Sequence, residues 1–333
     1  MKQNSFKNKK LIVGALILLS ILIIYGNISL GNNNYSFDQI ISAIASNDST
    51  NESLIINQIR IPRAIVGFFV GSSLALAGLV IQSITQNRLT SSQILGVNSG
   101  VTFVSVLSLI YLPFVGYMGR IGLGILAALV VVLTVLKLSK NSSKISVANL
   151  PLSGLVIGVF LTSLTQSVLL LNEEAAETMM FYMIGSFVRA NWESVIVLVP
   201  VSIAGIIMLL ILSRSLKVIE LGNDMALSLG VNMSKYVFIF VVIVSLLAGT
   251  SVSIAGPVGF IGIIVPNLVR KIVSSDYKFL IVMTSLLGGI LTSLSDLISK
   301  FISYPYETPV GLVISFIGVP MFLYVAMNER SKR

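Results

Sequence analysis

The chain has no cysteine and no histidine among its 333 residues, and only 11% of them carry charge. The first two absences exclude disulfides, thiolate metal sites, imidazole general bases and any Ser-His dyad, so neither a metal nor a cofactor is expected. The scarcity of charge, beside 55% hydrophobic residues and a mean hydropathy of +0.96, excludes a water-soluble globule, because too little polar surface remains to cover a core. A long polar linker is lacking too, so residues 1–333 read as one transmembrane domain. The fold class expected is an all-α polytopic membrane protein.

A hydrocarbon core about 30 Å thick needs about 20 apolar residues per helix. Candidate spans fall near 11–29, 62–84, 94–111, 118–138, 148–171, 193–213, 236–254, 258–273, 279–299 and 308–327, ten in all. The third and eighth are short and interrupted by glycine or proline, as tilted or broken helices are. Lys2, Lys7, Lys9 and Lys10 precede the first apolar run in the manner of a signal peptide, but no A-x-A-like cleavage site follows, so it reads as a retained span.

The net charge of +9 suits nucleic acid less well than loops left in the cytoplasm. With ten spans, 17 of the 22 Lys and Arg fall on the side of the two termini, and that bias places both termini in the cytoplasm. The acids Asp38, Asp48, Glu52, Glu173, Glu174, Glu177, Glu193 and Glu307 fall on the other side, where Glu173, Glu174 and Glu177 read as a solvated loop. The segments 62–171 and 236–327 hold four spans each in opposite direction, an arrangement common among transporters.

Several segments carry more than hydropathy. Arg60 and Arg63 flank Pro62 at the head of the second span, entered from a turn; deeper burial of these cations would cost heavily, which places them at a surface. They suit carboxylates of a partner, or they anchor the helix end among headgroups. Gly67, Gly71, Ala75 and Gly78 put small residues on one helix face, for close packing or along a path. Gly256, Pro257, Gly259 and Pro266 interrupt an apolar stretch; broken backbone at that depth is buried in protein or lines a wet cavity. Asp296 and Lys300 are spaced for an i, i+4 ion pair. LGNDMALSLGVN, within the inner polar segment 213–235, reads as a short capped helix suited to a partner.

The segments RIPR, GSSLALAGLVIQ, NRLTSSQILGVNSG, the IGSF run at 184–187, LGNDMALSLGVN, AGPVGFIGIIVPN and ETPVGLVISFIGVPMFLY occur in this order. In them the chain resembles permeases of the iron-siderophore and cobalamin ABC importer family, the FecCD type. The resemblance implies a type II ABC importer permease of ten helices in the cell's cytoplasmic membrane, paired with a second copy or a related permease. It further implies two cytoplasmic ATP-binding subunits and an extracytoplasmic binding protein that delivers a ferric siderophore for import by alternating access.

By the same resemblance, Arg60, Arg63 and Lys300 would dock the binding protein. Leu221, Gly222, Asp224, Ala226, Leu229 and Gly230 would dock the ATPase, and Ser146, Val147 and Ala148 would form a cytoplasmic gate. Asn267 stands where many members have histidine after the proline, which removes a titratable group. The chain itself has no GxxxxGK[ST] phosphate loop, so energy must come from a separate subunit and no enzyme activity is expected. Haem and cobalamin remain alternative cargoes. An ion-coupled secondary transporter would need buried acids or histidines, for which only Asp296 offers itself, and a membrane sensor would need neither the inner helix nor the outer arginines.

Overall fold

A helix that is apolar all round has no side to offer water and must be buried. The second candidate span is such a helix, and it forms the centre of the bundle. In the computed structural model, residues 2–31, 33–45, 50–141, 144–145, 149–229, 232–273, 276–304 and 306–330 are described. Helices α1 (Lys2–Ser29), α2 (Phe37–Ala45) and α3 (Asn51–Leu54) precede a π-helical turn, Ile55–Arg60, that runs directly into α4 (Ile61–Thr85). A 3-10 turn, Ser92–Leu95, leads to α5 (Val97–Tyr111), α6 (Tyr117–Leu138), α7 (Asn149–Leu170), α8 (Glu173–Ile184) and α9 (Trp192–Ile211). Then come α10 (Ser213–Glu220), α11 (Asn223–Ser228), α12 (Met233–Ala255), α13 (Ile261–Ile272), α14 (Tyr277–Ile302) and α15 (Val310–Arg330). Two-residue strands, Lys140–Asn141 and Lys144–Ile145, pair between α6 and α7.

Each of the ten apolar segments coincides with a helix. Among the described residues, seven helices are long and apolar enough to cross a membrane, and two apolar helices, α5 and the Val310–Val325 part of α15, are shorter. With 12 residues, α13 reaches only about 18 Å.

Helix α4 packs against α9, α12, α13 and α14, and 83% of its most apolar window is buried, against 17% for α1 and α7. The small residues explain the approach of its neighbours. A methyl group at Gly71 would overlap Thr292 Oγ1 and the Gly288 carbonyl of α14, and one at Gly78 would overlap Gly262 of α13. Their spacing is thus a packing face. Hydroxyls close to the same seams pair across it, Ser72 with Ser285 at 2.6 Å and Ser73 with Ser202 at 2.7 Å.

Two local expectations need correction. The segment before Pro62 is not a turn but a helix in π register: the Ile61 N–H bonds Ile56 O, so Pro62, which has no N–H, leaves Asn57 O open. Trp192 Nε1 fills that vacancy at 2.8 Å. The stretch 31–59 contains α2 and α3, because Ile40, Ala43 and Ile56 form a small apolar cluster with Tyr35. Glu173, Glu174 and Glu177 start a helix, α8, instead of a loop. Glu173 and Glu174 lie in its first turn, where the helix dipole favours anions, and its Met179 is buried.

Candidate functional site

Charge, helix discontinuity and exposed apolar surface lie in three places. At one end of the bundle Arg63, one turn into α4, is 6% exposed and therefore not a surface cation. Its Nε and Nη2 donate to the Asp296 carboxylate at 2.8 to 3.2 Å, and its Nη1 donates to Glu307 at 2.6 Å. Asp296 is 1% exposed, so a buried charge obtains the paired, hydrogen-bonded environment it requires. This corrects the expected Asp296–Lys300 pair. An i, i+4 pair is worth only a few tenths of a kcal/mol, and the fork of a facing arginine offers two parallel bonds.

Lys300, 6% exposed, reaches α1 instead and donates to Asn27 O at 2.7 Å. Arg60 donates to the carbonyls of Ile28, Ser29 and Asn33 at 2.7, 3.1 and 2.5 Å and stacks on Tyr35 at 4.5 Å. Ile28 and Ser29 end α1, whose last carbonyls have no intrahelical donor. All three cations thus hold α1, α4 and α14 together. Glu307, with a side chain 34% exposed, is the solvent edge of the cluster.

The second place is the break between α12 and α13, confined to Gly256–Phe260. Gly256 has φ +74° and lies against the Tyr182 carbonyl, which a side chain would overlap. Carbonyls at the end of α12 are covered from outside the helix: the Tyr182 hydroxyl donates to Val252 O at 2.8 Å and the Ser186 N–H to Ala255 O at 2.9 Å. Pro257 and Gly259 lie in the break, but Pro266 does not extend it. Helix α13 continues through Pro266, and Gln82 Nε2 donates at 3.1 Å to Gly262 O, the carbonyl that the missing N–H abandons. Asn267 donates to Ile263 O at 2.7 Å and to Arg88 O at 2.8 Å, tying α13 to the turn after α4.

At the opposite end lie α10 and α11. Leu221, Met225 and Leu229 are 53 to 60% exposed, while Ala226 is buried and Gly222 adopts φ +107° between the two helices. Gly230 and the Asp224 side chain lie outside the described residues, as do Ser146, Val147 and Ala148. Beneath these helices Arg270 pairs with Glu220 and donates to Ser83 Oγ at 3.0 Å. A cavity of about 260 Å³ opens there between Arg88, Lys217, Arg270 and Asp276. Burial works to raise the Asp276 carboxyl, but the bonds from Lys9 and the Phe279 N–H outweigh it and hold it below the usual carboxylate range. Sequence reasoning missed Gln82, Trp192 and the pairing of Glu307. All three answer groups far along the chain, so local spacing carried no sign of them.

An all-helical, multi-pass bundle with a discontinuous helix at its centre and an exposed helix pair at one end defines a membrane transport protein. The chain belongs to the FecCD transport family, whose model matches residues 16–328. It is 37% identical over 318 residues, 95% of each chain, to the Fe(3+)-citrate import system permease protein YfmD of Bacillus subtilis. It is 31% identical over 320 residues, 96% of each chain, to that organism's probable siderophore transport system permease protein YfiZ. The Fe(3+) dicitrate transport system permease protein FecC of Escherichia coli is 32% identical over 277 residues, 83% of each chain. A solved metal-chelate type ABC transporter in an inward-facing conformation superposes with a TM-score of 0.84 at 26% identity, covering 95% of this chain and 99% of that one. The protein is accordingly the transmembrane permease of an ABC importer, with the type II importer permease fold.

Proposed function

We propose that this permease imports ferric chelates of the siderophore or citrate kind across a cell's cytoplasmic membrane, by alternating access driven by ATP. The observation that carries this reading is the 37% identity to a ferric citrate permease over 95% of both chains. Names of iron-chelate importers recur among its relatives, which favours iron over cobalamin as cargo. Two ATP-binding subunits, a second permease copy or a related permease, and an extracytoplasmic binding protein complete the proposed complex. The whole of residues 1–333 would act as one transmembrane domain with both termini in the cytoplasm.

Within that reading, segment 213–235 docks the ATPase, chiefly through Leu221, Met225 and Leu229, which are exposed apolar side chains on or just beside α11. Gly222 and Ala226 shape the turn and the packed face beneath. Of the three cations at the other end, Arg60 is the one left partly exposed to meet a carboxylate of the binding protein. Arg63 and Lys300 position it from below. Residues 146–148 are proposed as the cytoplasmic gate.

The test is uptake of labelled ferric citrate and ferric siderophores into vesicles holding this permease, its ATPase and its binding protein. Uptake that requires both ATP on the ATPase side and the binding protein is expected. Uptake driven by an ion gradient without ATP would overturn the proposal.

A further inference from the structure

Three spans end at a common level around the cavity beneath α10 and α11. The apolar span of α1 begins at Lys9 and that of α14 at Tyr277, and Lys9 Nζ bonds Asp276 Oδ2 at 3.1 Å, so the two starts lie side by side. The span that contains α4 closes at Thr85, and Arg88 just beyond it lines the same cavity. Where apolar spans stop and charge begins, hydrocarbon gives way to headgroups. The cavity therefore opens at headgroup depth, and Tyr277 in its wall is of the aromatic kind favoured there.

Its lining is basic. Arg88 and Lys217 are exposed, and Arg270 has a side chain only 12% exposed. The Arg270 guanidinium is held in place, with Nη1 paired to Glu220 and Nη2 donating to Ser83 Oγ at 3.0 Å. Its Nε is buried with no hydrogen-bond partner among the described residues, so it retains one unused donor. Both acids of the lining already serve a cation, Glu220 with Arg270 and Asp276 with Lys9. Arg88, Lys217, Arg270 and Lys9 outnumber those two acids, and they still do when Asp224 of α11 is counted with them. The surplus is then a single positive charge.

We infer that this cavity binds the phosphate group of an anionic membrane lipid, a phosphodiester of the phosphatidylglycerol kind, in the leaflet on the side of α10 and α11. Basic pockets between helices at this depth suit such headgroups. A diester carries one negative charge and matches the surplus, and a planar guanidinium presents several donors to its oxygens. Leu221, Val273 and Leu280 give the cavity an apolar wall, which the glycerol and first acyl carbons cover. A free phosphate leaves that wall facing water, so the lipid is the better match. The cations come from α10, from α13 and from the turn after α4, so the bound lipid ties α10 to the bundle. The inference holds whichever cargo is carried.

The test is native mass spectrometry of the full chain in neutral detergent, titrated with phosphatidylglycerol or with phosphatidylcholine of the same acyl chains. Retention of phosphatidylglycerol at a concentration at least about tenfold lower than phosphatidylcholine is expected. Arg88→Gln and Lys217→Gln should each weaken it about fivefold, the weight of one basic residue at a membrane surface. Lys217→Arg keeps the charge and should keep the lipid. Lys137→Gln, which removes an exposed cation in the last turn of α6, outside this cavity, should change nothing.

Equal retention of the two lipids, or an equal loss from Lys137→Gln, overturns the inference, because the attraction is then that of the whole basic surface. Inorganic phosphate that displaces the lipid at matched ionic strength overturns the lipid assignment in favour of a free anion. Loss of the lipid when the ATPase subunits assemble on the permease overturns it in favour of a seat for an acidic side chain of that partner.

Discussion

Replacing Asp296 by alanine removes three of the four hydrogen bonds that the Arg63 guanidinium makes to carboxylates. The arginine is 6% exposed and cannot reach water by rotation, so its charge is left with Glu307 alone. Breaking a buried pair by deleting one partner costs about 3 to 5 kcal/mol, and Asp296→Ala is expected near that range. Glu307→Gln should cost much less, about 1 kcal/mol or below, because its side chain is 34% exposed and partly screened. Arg63→Met combined with Asp296→Leu removes both charges and restores apolar packing, so it should recover most of the Asp296→Ala loss.

The assay is the midpoint of irreversible loss of monodisperse protein on heating in detergent, compared across the four proteins at one heating rate. Asp296→Ala should fall well below the parent, Glu307→Gln should stay near it, and the double replacement should lie between. A double replacement no better than Asp296→Ala would refute the view that an uncompensated buried charge is the cause. So would an Asp296→Ala protein indistinguishable from Glu307→Gln.

Three further outcomes follow from the packing. Gly71→Ala and Gly78→Ala should abolish recoverable folded protein, since each added methyl meets backbone of the facing helix, whereas Gly14→Ala and Gly122→Ala, with nothing within 4 Å, should match the parent in detergent yield. Gln82→Leu should lower the same thermal midpoint by the equivalent of about 1 to 3 kcal/mol, the cost of leaving the Gly262 carbonyl buried without a donor. Met225→Glu and Leu229→Glu should leave the midpoint unchanged, both side chains being exposed, but should reduce co-purification of the ATPase subunits at least about tenfold if segment 213–235 is their seat.

Hydropathy located ten apolar helices, seven of them long enough to cross a membrane, because the bilayer demands their composition one segment at a time. It could not locate α2, α3 or α8, whose apolar residues pack in small tertiary clusters, Ile40 with Tyr35 and Ile56, and Met179 with Val106 and Leu169. The small-residue spacing in α4 foretold a close contact but not its partners, since Gly288 and Gly262 are more than 180 residues away. The charged residues misled most. Arg63 sits at the head of a span beside proline, and locally nothing distinguishes it from a headgroup anchor; only the arrival of Asp296 from α14 and Glu307 from the following turn makes its burial affordable. Asp296 and Lys300 had the spacing of an ion pair, and tertiary partners with better geometry took both.

One kind of contact recurs among the buried interruptions. At two prolines of this bundle a side chain from another element supplies the missing partner. Trp192 answers Pro62 and Gln82 answers Pro266. Arginine and lysine do the same at the end of α1. An open carbonyl within hydrocarbon has no water to turn to, so an interruption inside the bundle is stable where a neighbouring element reaches it.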